Sequence, residues 1–507
     1  MAWSRGSLAA LGVLWSASML PIARGFLAAW VSPVHVPLHA TVRRSLCSGT
    51  HACTTGRPAH ARRLAGQGTV DLEVDATVES EDVVSASSVQ SPFLKRLIER
   101  GFYHQCTNVE GLDSKLCEGT PVKAYLGFDA TADSLHVGSL LQIMILRQLQ
   151  QAGHKPIILV GGGTTKVGDP SGKDESRQML DAASIQANID GIASVFNEFV
   201  TFGDGSTDAV LVNNDEWLSE LTYLSFLRDY GPLFTVNRMM TYESVRLRLE
   251  REQPLTFLEF NYMLLQAYDF VELHRRFGCV LQMGGSDQWG NMVNGVELGR
   301  KADGAELFAL TAPLITTSDG KKMGKSAGGA VWLNAAKLPE YDYWQFWRNT
   351  DDADVVRFLK LFTELPMREI ERLGQLEGSD INKAKVILAD EATKMLHGEE
   401  CLSKIHETVQ QLFSGKGGGS TAALPRAEVS AEEAEAGLSV LDLYLRLGLT
   451  KSKGEGRRLV KGGGARLNDD KIQDETLVLT LVDFGDAREL KLSSGKKKHG
   501  IVAVADS

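Results

Sequence analysis

Two apolar strand patterns on either side of a helical pattern constrain the fold of this chain more than any other feature. Residues 122–130 (VKAYLGFDA) and 155–163 (KPIILVGGG) are short apolar runs that end in turns, and residues 140–153 between them have helical spacing up to a glycine. A strand, a helix and a strand in this order form a βαβ unit with parallel strands. The continuously apolar second run is typical of a strand covered on both faces.

Further strand patterns at 210–215 and 279–285, with helical patterns between them, extend this unit. The sequence therefore predicts an α/β fold, a doubly wound parallel sheet of the Rossmann-like kind, over residues 86–338. In such sheets, ligands bind outside the carboxyl ends of the strands.

The remainder of the chain divides by composition. Residues 339–414 carry helical patterns without strand signals, which predicts an α-helical domain. Residues 415–436 begin with a Gly/Ser-rich stretch and are predicted to be a flexible linker. Residues 437–507 are predicted to be a small α+β domain.

The first 70 residues differ from the rest, because they contain seven Arg but no Asp, Glu or Lys. Residues 7–23 form an apolar run of signal-peptide size that Ser residues and Pro21 make a poor membrane span. The Arg- and Ser-rich stretch that follows is typical of a transit peptide. We predict that 1–85 is an organelle-targeting leader with an acidic linker, that a plastid is favoured over the mitochondrion, and that the mature protein has no membrane segment.

Charge and cysteine usage exclude some classes of protein. A formal charge of −10 argues against a protein that coats nucleic acid over its whole surface. The six cysteines include no CxxC pair, so a zinc ribbon or a disulfide scaffold is not expected, and no protein-bound metal is predicted.

A local basic stripe does occur, at helical spacing, and suits RNA phosphates; a solvated basic face is the alternative. Its residues are Lys453, Arg457, Arg458 and Lys461.

Two short signatures could bind phosphate. The first, His136-Val-Gly138-Ser139, follows a predicted strand and opens a helix, where the helix N-terminus favours anions and glycine allows close approach. The second, 322–326 (KMGKS), places two lysines around a glycine, as in a mobile loop that closes on a polyphosphate. Taken singly, each is also compatible with an ordinary surface histidine or a solvated turn.

A third constellation lies on one predicted helix. Tyr262, Gln266 and Asp269 fall at i, i+4 and i+7 and therefore share a face. A polar solvent face is one interpretation, but the apolar neighbours of these residues indicate a largely buried helix. A buried carboxylate needs hydrogen-bond partners, and a bound ligand would supply them.

The two signatures, in this order, resemble the HIGH and KMSKS signatures of class I aminoacyl-tRNA synthetases. The segments GFDATADSLHVGS, GDPSGK (168–173), NYMLLQAYDF (261–270) and LQMGGSDQWGN (281–291) resemble bacterial-type tyrosyl-tRNA synthetases. The resemblance extends over residues 91–507. It implies a ligase that activates L-tyrosine with ATP, with Mg²⁺ carried on the ATP phosphates, and then transfers tyrosine to tRNA(Tyr).

The resemblance also implies an assembly. The protein is expected to be a homodimer through an insertion at about 217–275, with Phe257 and Phe260 as apolar contacts. The helical domain is expected on the anticodon side, and the C-terminal domain is expected to be an S4-like RNA-binding domain. The second signature is expected on a KMSKS-like loop at 320–328.

Site residues follow from the resemblance position by position. Tyr125 and Asp269 are expected to flank the tyrosine hydroxyl. The remaining tyrosine contacts are expected to be Asp169, Tyr262 and Gln266 at the α-amino group with Asn214 nearby, and Gln282 and Gln288 at the substrate or its carboxylate. The catalytic residues are expected to be Thr131, His136, Lys173, Arg177, Lys322 and Lys325. The ATP-binding residues are expected to be Gly127, Asp129, His136, Gly138, Ser139, Gly285, Asp287, Lys322, Met323, Gly324, Lys325 and Ser326.

One position departs from the family pattern: Ser139 stands where His or Asn is usual, and its shorter side chain leaves the ribose contact open. Two other functions compete with the ligase. A tryptophan-specific enzyme of the same superfamily is disfavoured by Tyr125 and Asp269, because indole has no hydroxyl for them. An RNA-binding splicing cofactor derived from such a ligase is disfavoured by the full set of ATP residues.

Overall fold

The computed structural model describes residues 84–169, 180–326, 329–414, 424–485, 487–495 and 498–505. All of them belong to one compact unit, Glu79–Ser507. Residues 1–83 of the predicted leader and linker, together with Lys173 and Arg177, lie outside the described residues.

A parallel sheet forms the first part of this unit. Its elements are α1 (Pro92–Arg100), β1 (Gln105–Cys106), α2 (Val109–Leu116), β2 (Lys123–Asp129), α3 (Val137–Gln151), β3 (Lys155–Gly161), α4 (Ala182–Phe196) and β4 (Val210–Asn213). They continue as α5 (Asp215–Leu218), α6 (Tyr223–Asp229), α7 (Val236–Thr241), α8 (Glu243–Glu250), α9 (Phe257–Phe277), β5 (Leu281–Gly285), α10 (Trp289–Asp303), β6 (Phe308–Ala312), β7 (Lys325–Ser326) and β8 (Gly329–Ala330).

The strand order is β1-β6-β5-β2-β3-β4, with β1 antiparallel at the edge and the other five strands parallel. This confirms the predicted α/β class. The chain order reverses next to β2, and ligands bind at such a switch point. In the register, Tyr125 of β2 pairs with both Ile157 and Gln282, which places it at the centre of the sheet.

Local signals explain the two helices that carry the site. The N-terminus of α3 is capped by the imidazole of His136, whose Nδ1 accepts from the backbone N–H of Gly138 at 3.0 Å. Helix α9 begins with a capping box between Thr256 and Glu259 and ends at Gly278 in the left-handed conformation. Both ends of α9 are therefore fixed, so that its polar face keeps one orientation.

Helices occupy the range that lacked strand signals. They are α11 (Glu340–Arg348), α12 (Val355–Phe362), α13 (Met367–Leu373), α14 (Ile381–His397) and α15 (Glu400–Ser414). Their buried aromatic residues continue the hydrophobic core of the parallel sheet. The guanidinium of Arg100 in α1 donates to the carbonyls of Lys360, Thr363 and Leu365 and ties the two parts together.

A separate core lies at the C-terminus. Its elements are β9 (Arg426–Val429), α16 (Ala431–Ala436), β10 (Leu438–Ser439), α17 (Val440–Arg446), α18 (Lys453–Lys461), β11 (Ala465–Leu467), β12 (Asp470–Lys471), β13 (Val478–Leu479), β14 (Glu489–Ser494) and β15 (Lys498–Val504). The main sheet has the order β12-β11-β14-β15-β9. This is the small α+β unit that the sequence predicts.

The predicted linker differs from the structure in its second half. Within 415–436, β9 pairs in parallel with β15, and α16 follows it. The physical reason is local: the glycines end at 419, and Ser430 and Glu433 form a capping box that starts α16. Residues 424–436 therefore belong to the C-terminal unit.

Candidate active site

A cleft of about 390 Å³ opens at the carboxyl ends of β2, β3 and β5. It brings together most of the predicted site residues, although they come from distant parts of the chain. Those that line it are Tyr125, Gly127, Asp129, Thr131, His136, Ser139, Asp169, Asn214, Tyr262, Gln266, Asp269, Gln282, Gly285, Asp287 and Gln288.

A buried carboxylate forms the base of the cleft. Asp269 is 2 % exposed and accepts two hydrogen bonds, from Asn214 Nδ2 at 2.9 Å and from Trp217 Nε1 at 2.7 Å. Burial raises the pKa of this carboxyl to about 7, although both donors oppose the shift. Asn214, predicted near a substrate amino group, lines the cleft and is held between Asp269 and the backbone of Gly163.

A buried tyrosine hydroxyl lies in the same region. Tyr125 is 1 % exposed, and its hydroxyl has no hydrogen-bond partner among the described residues. Its ring packs edge-on against Phe270, next to Asp269 in α9, at 5.2 Å between centroids. Burial, and secondly the Asp269 charge, raise the pKa of this phenol. A buried acceptor and an unpartnered hydroxyl can together bind a ligand hydroxyl.

Polar side chains connect the middle of the cleft. Gln288 Nε2 donates to Asp169 Oδ2 at 3.0 Å, and Asn291 Nδ2 donates to Gln288 Oε1 at 3.2 Å and to Gln266 Oε1 at 3.0 Å. This network contains three amides and a carboxylate, whose oxygens suit a ligand ammonium group. Gln282 lies behind it, 3 % exposed, and its Oε1 has no partner among the described residues.

Across the cleft, Asp129 is held by two hydroxyls. Thr164 Oγ1 donates to its Oδ1 at 3.0 Å, and the Tyr262 hydroxyl lies 3.3 Å from the same atom. Asp129, a predicted ATP contact, thus lies beside Tyr262, a predicted contact of the substrate tyrosine. The two predicted subsites therefore meet at this carboxylate.

The two signatures are in direct contact. The N–H of Val137 donates to Val331 O at 2.9 Å, and the N–H of Val331 donates to Gly324 O at 3.1 Å. A Cβ on Gly138 would lie 2.9 Å from the carbonyl oxygen of Met323, so that any side chain at this position would clash with the second signature. Residue 138 therefore has to be glycine for the loop to pack here.

The second signature sits on a loop that we name the signature loop, residues 316–326. Lys322 is exposed, while Met323 is 7 % exposed and packs into the core. Met323, predicted as a nucleotide contact, thus anchors the loop, and its backbone faces Gly138. The side chains of Lys325 and Ser326 lie outside the described residues.

Asp287 and its neighbours form the other side of the cleft. Burial raises the pKa of the Asp287 carboxyl, while the Lys322 charge opposes the shift. Gly285 leaves space there: a Cβ on it would lie 2.6 Å from Asp287 Oδ1 and 3.7 Å from Gln142 Nε2. The Gln142 Oε1 has no partner among the described residues. Ser139 and Gln142 lie one turn apart on α3 and both line the cleft.

Sequence reasoning missed three polar residues of the site, Gln142, Trp217 and Asn291. A lone Trp is usually a core residue, and nothing in the sequence around Trp217 points to Asp269. Gln142 is the exception: its place one turn after Ser139, at the start of a cleft helix, was a signal that could have found it.

Across the part of the chain that the structure describes, no three His, Cys, Asp or Glu side chains are grouped so as to hold a metal ion. Among the described helices, none has the length and apolar character to cross a membrane.

Comparisons with known proteins agree with this geometry. The family model for tRNA synthetases class I (W and Y) matches residues 118–414, and the chain belongs to this class of enzymes. A tyrosine–tRNA ligase of Caulobacter vibrioides is 59 % identical over 418 residues, covering 82 % of this chain and 99 % of the relative. One from Rhodospirillum rubrum is 58 % identical over 415 residues, covering 82 % and 98 %. Within the class, the chain is a member of the bacterial-type tyrosyl-tRNA synthetase family.

A solved structure shares the fold. The C-terminally truncated mitochondrial tyrosyl-tRNA synthetase of Aspergillus nidulans superposes with a TM-score of 0.57 at 29 % identity. The superposition covers 64 % of this chain and 95 % of that one.

Proposed function

We propose that this chain is a tyrosine–tRNA ligase, which activates L-tyrosine with ATP and transfers it to tRNA(Tyr). The observation that carries the proposal is the buried pair of Tyr125 and Asp269, in which the Tyr125 hydroxyl has no partner among the described residues. A substrate phenol donates to the Asp269 carboxylate and accepts from Tyr125. Phenylalanine would leave the Tyr125 hydroxyl unpaired, at a cost of about 1–3 kcal/mol for a buried polar group, and would deprive Asp269 of the donor that the substrate hydroxyl adds to Asn214 and Trp217.

In the first step, the tyrosine carboxylate attacks the α-phosphorus of ATP in line, the bond to the bridging oxygen breaks, and pyrophosphate leaves. Little covalent chemistry falls to the protein, so positioning and charge stabilisation provide the acceleration. In this proposal, the leaving phosphates are stabilised by Thr131, His136, Lys173, Arg177, Lys322 and Lys325. Mg²⁺ is carried on the ATP phosphates.

The second step transfers the amino acid. A hydroxyl of the terminal ribose of the tRNA attacks the carbonyl carbon of tyrosyl-adenylate, and AMP leaves. Asp169, Tyr262 and Gln266 hold the α-amino group through both steps in this proposal. The network of Asp169, Gln288, Asn291 and Gln266 supports this assignment, because it fixes the acceptors before substrate arrives.

Binding of tRNA is assigned to the C-terminal unit, as an S4-like domain. Helix α18 carries all four predicted RNA-binding residues. Lys453 pairs with Asp442 and Lys461 with Glu475, whereas Arg457 and Arg458 are exposed. The two arginines are therefore the strongest candidates for phosphate contacts.

A homodimer is assigned to the insertion at 217–275. Eight of the twelve large hydrophobic side chains that are exposed among the described residues lie between 223 and 258. Phe257 is 68 % exposed, whereas Phe260 is partly buried against a small internal core. A concentrated apolar surface of this kind marks a protein interface.

Organellar translation is the proposed setting, with a plastid favoured over the mitochondrion. The composition of residues 1–70 supports a targeting leader. Fusion of residues 1–85 to a fluorescent protein tests this, because cytosolic fluorescence would contradict it.

The central test is tyrosine-dependent exchange of pyrophosphate into ATP. We expect exchange with tyrosine and almost none with phenylalanine or tryptophan. Asp269→Asn keeps the shape and should abolish most exchange, whereas Asp190→Asn, at an exposed site on α4, should not change it. A folded chain that exchanges with none of the three amino acids would contradict the proposal and favour an RNA-binding protein without catalysis.

A further inference from the structure

The signature loop is held from outside the catalytic sheet by two residues at the start of α12. Asp354 is 3 % exposed, and its Oδ2 accepts from the backbone N–H of Ser318 at 2.8 Å. Its Oδ1 accepts from Arg357 at 2.6 Å. The same guanidinium donates to the carbonyl oxygen of Thr316. We name these two residues, Asp354 and Arg357, the α12 clasp.

The backbone that the α12 clasp holds is paired with the backbone that carries Lys322. Thr316 and Lys322 form an antiparallel bridge. On either side of it, the N–H of Thr317 donates to Lys321 O at 2.8 Å and the N–H of Met323 donates to Ile315 O at 2.9 Å. A displacement of Thr316 therefore moves Lys322, the residue whose charge acts on Asp287.

We propose that Asp354 and Arg357 are positioning residues for adenylate formation, which hold the signature loop so that Lys322 stands over the nucleotide subsite. This rests on the proposed function, in which Lys322 stabilises the leaving phosphates. The clasp belongs to the helical part of the chain, so it also connects that part mechanically to the reaction centre.

A purely structural role is the competing explanation, because Arg357 and Asp354 are i and i−3 and could simply stabilise the start of α12. Arg372 and Glu369 form the same kind of pair on α13 without touching the loop. An exposed pair of this type contributes little to stability. Arg372→Ala is therefore a matched control for Arg357→Ala.

The first test is pyrophosphate exchange by the full chain with Arg357→Ala, Arg357→Lys and Arg372→Ala. We expect Arg357→Ala to lower kcat about tenfold, a typical size for coupled residues, with the KM for tyrosine unchanged. Arg357→Lys should recover part of the rate, because lysine can still donate to Thr316 O. Arg372→Ala should match the unaltered chain.

A double-mutant cycle with Lys322→Ala separates positioning from general destabilisation. If Arg357 acts through Lys322, then adding Arg357→Ala to a chain that already carries Lys322→Ala should lower kcat by less than twofold. Effects that simply multiply would overturn the proposal, as would equal rates for Arg357→Ala and Arg372→Ala.

Hydrogen exchange of the backbone amides provides a readout that does not depend on catalysis. Arg357→Ala should accelerate exchange over residues 316–323, whereas Arg372→Ala should not. Unchanged protection of these amides would overturn the proposal even if activity fell. Failure of the unaltered chain to exchange pyrophosphate would count against the proposed function instead, and the amide measurement would still decide the link between clasp and loop.

Discussion

The indole Nε1 of Trp217 donates a 2.7 Å hydrogen bond to Oδ1 of Asp269, at the base of the cleft. This contact joins the first helix after β4 to α9, over 52 residues of chain. It leaves Asp269 with two fixed donors and holds the carboxylate in one orientation. The amino-acid subsite is therefore preorganised by residues that do not themselves need to touch the ligand.

Removing that donor should weaken tyrosine binding. In Trp217→Phe the buried carboxylate loses one of its two hydrogen bonds, and a bond to a charged group contributes about 1.5–3 kcal/mol. We expect the KM for tyrosine in pyrophosphate exchange to rise about tenfold or more, with the KM for ATP unchanged. Trp332→Phe, on the nucleotide side of the cleft, is the comparison. An unchanged KM for tyrosine in Trp217→Phe would show that Asn214 alone fixes Asp269.

The pKa of about 7 at Asp269 predicts a pH dependence of tyrosine affinity. A hydrogen bond from the substrate hydroxyl is stronger to the ionised carboxylate than to the protonated carboxyl, so affinity should rise with pH through 7 and level off above 8. With a single group of this pKa, the dissociation constant should fall by up to about thirtyfold between pH 5.5 and 8, the limit reached when only the ionised form binds. Equilibrium dialysis measures it, and Asp269→Asn should remove the dependence. A flat profile in the unaltered chain would contradict an uncharged Asp269 below pH 7.

The raised pKa of Asp269 also makes the stability of the fold depend on pH, and here the effect decreases with rising pH. The pKa is raised in the folded state, so between about pH 4 and 7 the folded chain holds a proton that the unfolded chain has lost. The contribution of Asp269 to the free energy of unfolding should therefore decrease as pH rises through this window. Denaturant unfolding of Asp269→Asn against the unaltered chain should show a difference that grows from pH 4.5 to 7.5.

Gln142 should contact the nucleotide. Its Oε1 is buried without a partner among the described residues, and its Nε2 approaches Gly285, next to Asp287. Gln142→Ala should raise the KM for ATP about threefold to tenfold, as expected for one neutral hydrogen bond, and leave the KM for tyrosine unchanged. Gln151→Ala, exposed on the same helix, is the control. If 2′-deoxy-ATP shows the same ratio as ATP, the contact is to the base or the phosphates and not to the 2′-hydroxyl.

Strands β2 to β5 were predictable because they are short apolar runs. Strands β1 and β6 were not predicted, and β1 is a two-residue strand, Gln105–Cys106, that is defined by its pairing with β6. The polar face of α9 was predictable from 3.6-residue periodicity, since Tyr262, Gln266 and Asp269 lie on one helix. Trp217 was not, because its partner lies 52 residues away and only the folded sheet brings them together. The start of the C-terminal unit was missed for another reason: β9 is only four residues long, and it forms a strand because it pairs with β15, about 70 residues further along the chain.

Arginines 457 and 458 should account for part of the affinity for tRNA. Each phosphate contact adds to the salt dependence of binding. Replacing both arginines with Gln should therefore weaken binding and reduce the slope of log affinity against log salt concentration by about 1 to 2. Filter binding at several salt concentrations measures this. Arg426→Gln, which breaks an ion pair with Glu489 elsewhere in the same unit, should leave the slope unchanged. A slope that is the same in all three proteins would place the RNA on another surface.

The apolar surface between 223 and 258 should hold two copies of the chain together. Leu224 is 76 % exposed on α6, and a carboxylate placed there would be buried without a partner in any interface that covers this helix. We expect Leu224→Glu to sediment as a monomer at concentrations where the unaltered chain sediments as a dimer. Val482→Glu, 87 % exposed in the C-terminal unit, is the matched control and should remain a dimer. A dimer in both variants, or a monomer in the unaltered chain, would show that this surface has another use.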